Sequence, residues 1–90
     1  MRHQHHPERA NAVARMDVSW IAALIGNLDR RAQLLDQDIA AEEQRAGVLE
    51  VSHPAYPVLA RTLTARRDNL RATIAALEKR LASLHGLWRG

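Results

Sequence analysis

No cysteine and no phenylalanine occur in these 90 residues, and two tryptophans and one tyrosine supply all the aromatic character. Without cysteine there is no disulfide framework, no thiol nucleophile and no thiolate zinc site. A chain that is 47% hydrophobic but only 3% aromatic, rich in Ala, Leu and Arg, suits long helices. A sandwich or barrel would want Val, Ile, Thr and aromatics between frequent turns. The longest apolar stretch, Trp20 to Ile25, is far shorter than the ~20 residues that span a bilayer. The opening MRHQHHPER lacks the apolar run of a secretory signal. A soluble, cytoplasmic chain without a membrane partner is the expectation.

The usual chemical motifs are also missing. There is no Gly-rich phosphate loop, HExxH pair, GxSxG elbow or EF-hand loop. Asp29, Asp36, Asp38, Glu42, Glu43 and Glu50 are spread without the Glu-x-x-His pattern of a di-iron bundle. His53 and His85 fall about a helix length apart, and His3, His5 and His6 are expected to belong to a frayed tail rather than to a metal site. No catalytic, cofactor-binding or metal-binding residue is assigned, and no cofactor is expected.

What the chain does have is a heptad pattern. Leu63, Leu70, Leu77 and Leu84 recur every seventh residue, with Ile74, Leu81 and Trp88 in the other half of the repeat. Apolar residues alternating at steps of three and four stay on one helical face. Upstream, Val18, Ile25, Ala32, Ile39 and Ala46 form one set; Ala14, Ile21, Leu28, Leu35, Glu42 and Leu49 form the other. That register holds phase across Gly26 and Asn27, so one continuous helix is expected there rather than two.

The punctuation gives a single domain of two helices: a flexible tail at residues 1–7, helix one at 8–49, a turn at 50–55 and helix two at 56–86. Pro7 and Glu8 suit a first helical turn. Gly47 is placed to close helix one in a left-handed conformation. Ser52 is a candidate N-cap, Pro54 and Pro57 are tolerable only at or before the first turn of helix two, and Gly86 is its stop signal. The expected fold is all-α, an antiparallel, coiled-coil-like hairpin. Pairing positions whose numbers sum to about 102 to 106 sets Leu35 by Leu70, Leu28 by Leu77 and Ile21 by Leu84, as an antiparallel seam requires.

Charge agrees with that pairing. Residues 17–50 carry seven acids against three arginines, whereas residues 51–90 carry seven Lys/Arg against two acids. The same register brings Asp36 towards Arg71 and Asp38 towards Arg66. Arg67 falls in the seam itself, and the expectation is a head group paired with Glu42 or Asp38, fixing register or partner number.

Apolar residues exceed what one seam can use. Val13, Trp20, Leu24, Leu34 and Val48 lie off it in helix one. Thr62, Ala65, Asn69, Ala72, Thr73, Ala76 and Ser83 form a belt of small residues on helix two. Such a face on a thin hairpin marks an interaction site. The candidate interaction residues are Trp20, Leu24, Leu34, Arg67, Ala72, Ala76 and Trp88. Trp20 and Trp88 belong at the end away from the turn, as a bundle cap or a patch for another protein. The function expected is a non-enzymatic interaction or adaptor module that self-associates, as a dimeric four-helix bundle; a bacterial accessory or chaperone-like partner binder fits. The alternative is a small basic nucleic-acid-binding regulator using Arg61, Arg66, Arg67, Arg71, Lys79 and Arg80, a reading that competition from Asp36 and Asp38 weakens. The closing Trp88, Arg89 and Gly90 match the Trp-x-Gly of a family of secreted helical hairpins, but there the motif lies in the turn, so no family is assigned.

Overall fold

A computed structural model of the chain describes the backbone of residues 7–89 and the side chains of residues 15–86. The histidines of the tail, Ala14, Val13 and the side chain of Trp88 lie outside the described side chains. Two helices, α1 (Pro7–Ala46) and α2 (Val58–Arg89), fold back on each other to make a rod of 68 × 23 × 18 Å.

The heptad pattern is what the two helices bury. On α1, Ile21, Leu28, Ala32 and Ile39 are buried, and Val18, Ile25, Leu35 and Glu42 are half-buried. On α2, Ala60 is fully buried, whereas Leu63, Leu70, Ile74, Leu77, Leu81 and Leu84 are half-buried. A hairpin two helices wide therefore leaves much of the α2 seam in contact with water. Gly26 and Asn27 are helical, as the unbroken register required. A helical glycine costs about 1 kcal/mol relative to alanine, too little to break a segment packed on both sides of it.

The helix ends differ from the expected boundaries, each for a local reason. Helix one stops at Ala46 rather than Leu49, because Gly47 adopts φ 71° and the Val48 and Gly47 amides donate to the carbonyls of Glu43 and Gln44 at 3.3 and 3.2 Å. This Schellman closure turns the chain out of the helix. Ala46 and Leu49 consequently leave the seam, and Leu49 is 72% exposed.

Helix two begins at Val58 rather than Tyr56, and Ser52 is not its cap. The residue before a proline is pushed towards extended backbone, so Tyr56 stays in the turn and the Pro57 carbonyl accepts the first helical bond, from the Arg61 amide at 3.2 Å. At the other end α2 runs through Gly86 to Arg89. Glycine permits a left-handed close without imposing one, and here it keeps the helical conformation.

The turn is held by its own side chains. Tyr56, buried, donates its hydroxyl to Glu43 at 2.7 Å. Arg61 donates to the Val51 carbonyl at 2.7 Å and lies 5.2 Å over the Tyr56 ring. The His53 imidazole accepts the Ala55 amide at 2.9 Å.

Candidate interaction surface

At 100° per residue, positions to either side of a seam point to opposite faces of a hairpin. The two faces of this hairpin differ in kind. On one, Asp36 of α1 accepts hydrogen bonds from Arg67 at 2.9 Å and from Arg71, both of α2. Arg67 also reaches Asp68 at 3.0 Å. Hydrogen bonding to Asp36 first, and to Asp68 second, holds the Arg67 guanidinium more firmly protonated than usual. Farther along the same side Tyr56 bonds Glu43. This face is sealed by charge-assisted hydrogen bonds between the helices.

The seam arginine therefore has a different acid from the one expected. Its partner is Asp36, not Glu42 or Asp38. Asp36 stands on the same flank of α1 as Arg71 does on α2, whereas Asp38 is two residues on, about 200° around the helix. Asp38 projects to the other face. Among the described residues it makes no ion pair with Arg66, and both are exposed. Glu42 instead pairs with Arg45, one turn along its own helix.

The second face is open. Leu34, Leu35 and Arg31 of α1 and Leu70, Arg66, Asn69 and Thr73 of α2 line a groove of about 430 Å³. Leu35 and Leu70, expected to meet, form its floor from opposite helices. Along the same side of α1 run Trp20, 68% exposed, and Leu24, half-buried; Leu34 itself is 59% exposed. On α2 the rim consists of small residues, with Ala76 and Ser83 exposed beside Lys79 and Arg80 in a shallow depression. Ala72 is exposed at the outer edge of this belt, about 200° from Leu70 and Ile74.

No family model, curated protein or solved structure matches this chain.

The geometry therefore has to speak for itself. It brings together Trp20, Leu24, Leu34 and Ala76 as one side of the rod, sets Ala72 at the margin, and places Arg67 in the seam with its head on the sealed side. Trp20 is left largely exposed. A second apolar patch lies outside the heptad pattern: Leu49, Val51, Val58 and Leu59 are all exposed where the chain turns. The sequence signal was the cluster of aliphatics on both sides of SHPAYP. Reading Leu49 as a seam residue concealed it.

Chemically, the open face offers aliphatic surface, small polar groups and the guanidinium groups of Arg31 and Arg66, which have no ion-pair partner among the described residues. Among the described residues no polar or charged side chain is buried, and no cluster of three His, Cys, Asp or Glu is arranged to hold a metal ion. No described helix is long and apolar enough to cross a membrane.

Proposed function

We propose that this chain is a non-enzymatic helical interaction module, acting in the cytoplasm as an adaptor, that self-associates by packing its open face against that of a second copy to make a four-helix bundle. One observation carries the proposal: among the described residues arginine–aspartate pairs seal the hairpin on one side only, and on the other Trp20 and Leu34 are exposed while Leu24 and the seam leucines Leu35 and Leu70 are half-buried. Apolar surface of this kind on a two-helix rod is stabilised by further helices. A standard interface buries roughly 800 Å² per partner. A face 68 Å long and 23 Å wide provides that area.

Light scattering over a range of protein concentrations tests the proposal. The expected mass is twice the 10.1 kDa of one chain, falling towards one chain mass on dilution. A single-chain mass at every concentration would refute it.

A second reading has its own observation. Arg31 and Arg66 flank the groove, Arg80 lies farther along the same side, and none of the three has an ion-pair partner among the described residues. Such a row can track phosphates. Binding of that kind weakens steeply with salt, so retention on a phosphate or DNA matrix that vanishes as salt is raised would favour a nucleic-acid regulator.

A further inference from the structure

The open face is asymmetric, and the asymmetry specifies how a second copy lies on it. The α1 side carries the large residues Trp20, Leu24 and Leu34, while the α2 side carries small ones, among them Asn69, Thr73 and Ala76. Charge differs in a related sense: on α1 Arg31 and Asp38 offset each other, whereas the charge that α2 brings to the groove is arginine alone. Asp38 is the acid that α1 directs to this face near the groove, and Arg66 and Arg80 are on the α2 side. Asp36, lying between Arg67 and Arg71, fixes which residues share a level along the rod: an α1 residue stands opposite the α2 residue that brings their sum to about 105. Asp38 and Arg66 are then one residue out of level, about 1.5 Å.

Two kinds of two-fold axis place one open face on another. An axis lying across the rod sets α1 on α1 and α2 on α2. That stack presses large residues on large ones, and basic α2 on basic α2. An axis running along the rod sets α1 on α2 of the second copy and leaves every level unchanged. Leu34 then enters the space between Asn69 and Thr73 of the other chain, and Asp38 comes opposite Arg66 of that chain.

We infer that self-association, if the reading above holds, uses the lengthwise axis: each α1 packs on the α2 of the second copy, and two symmetry-related Asp38–Arg66 pairs between chains set the register. Large side chains meet small ones along both contacts. Among the described residues neither Asp38 nor Arg66 has an ion-pair partner within its own chain. Arg31 remains opposite Thr73 and Ala76 of the second copy with no acid nearby, so the interface carries a surplus of positive charge. Salt screens that repulsion, and the dimer tightens as salt is raised, the reverse of phosphate binding.

Charge reversal with mixing tests the arrangement. Asp38→Arg sets arginine against arginine twice in its homodimer, and Arg66→Asp sets aspartate against aspartate twice. Like charges across an interface are strongly unfavourable, so sedimentation should show each variant dimerising about tenfold or more weakly. Mixing the two variants restores both pairs, and a heterodimer of near wild-type affinity is expected. Mixing cannot relieve repulsion inside one chain, so rescue reports contacts between chains alone. The cysteine-free chain allows a second measurement: Asp38→Cys mixed with Arg66→Cys should form the mixed disulfide in preference to either homodimeric one. Wild-type dimers with unaffected single variants, without rescue on mixing or without the mixed disulfide would overturn this arrangement while leaving self-association intact. A wild-type chain that is monomeric at all concentrations would remove self-association itself.

Discussion

Asp36 accepts a hydrogen bond from Arg67 across the hairpin at 2.9 Å, with the Arg67 side chain only 24% exposed. The same carboxylate holds Arg71 on its other oxygen. Removing the acid leaves one half-buried and one exposed guanidinium without their partner on α1. Asp36→Asn should therefore lower stability by about 1 kcal/mol, which for a chain of this size is a fall of roughly 4 to 8 °C in Tm. Removing the seam arginine has a different outcome. In Arg67→Leu, Asp36 keeps Arg71 and the seam gains an aliphatic residue, so thermal melting should show an equal or higher Tm. A lower Tm for Arg67→Leu would mean that the arginine is a net source of stability.

Two glycines should respond to alanine with opposite signs. Gly47 has φ 71°, and a Cβ there would meet nothing within 4 Å, so the whole cost of Gly47→Ala is backbone strain. It should destabilise by about 1 kcal/mol. Gly26 is helical, and a Cβ there would lie 3.7 Å from the Arg30 guanidinium, an ordinary contact. Gly26→Ala should stabilise by roughly 0.5 to 1 kcal/mol. Urea denaturation of both variants checks the pair.

The turn should be sensitive to strong alkali. Accepting the hydroxyl hydrogen, the Glu43 carboxylate pushes the Tyr56 phenol above its ordinary value, and burial and the repulsion between carboxylate and phenolate act in the same direction. A folded pKa above the unfolded one, about 10 for tyrosine, means that the contribution is complete below pH ~10 and is lost as pH rises through the folded value. The wild type should lose stability there more steeply than Tyr56→Phe, which lacks the group. Thermal melts of both proteins from neutral to strongly alkaline pH measure the difference.

Repetition made the hairpin readable. Leu63, Leu70, Leu77 and Leu84 recur on one helical face, and counting could match Leu35 to Leu70 and Asp36 to Arg71. Continuity through Gly26 followed because a helix keeps phase only if it is unbroken. The places where counting failed are those where a backbone conformation or a rotation about the helix decides the outcome. Gly47 and Gly86 look alike as stop signals, yet only Gly47 takes the left-handed form, with the Val48 and Gly47 amides returning to Glu43 and Gln44. Counting assigns Asp38 or Glu42 to Arg67, yet Asp38 points to the other face, Glu42 pairs with Arg45, and Asp36 takes Arg67 as well as Arg71. The open face was visible as a surplus of apolar residues such as Trp20, Leu24 and Leu34. Counting matched Asp36 to Arg71 but not to Arg67, and the closing of one face while the other stays open depends on how each residue is rotated about its helix. The exposed Leu49, Val51, Val58 and Leu59 were hidden because heptad counting was carried past the end of α1.

Trp20 reports most directly whether the open face is covered. In a Trp88→Phe variant it is the sole tryptophan, and its emission can be followed as protein concentration is raised through the range where mass doubles. A shift to shorter wavelength and protection from acrylamide quenching, in step with the doubling, are expected. A Trp20 that stays as red and as readily quenched in the dimer as in the monomer would contradict burial of the open face.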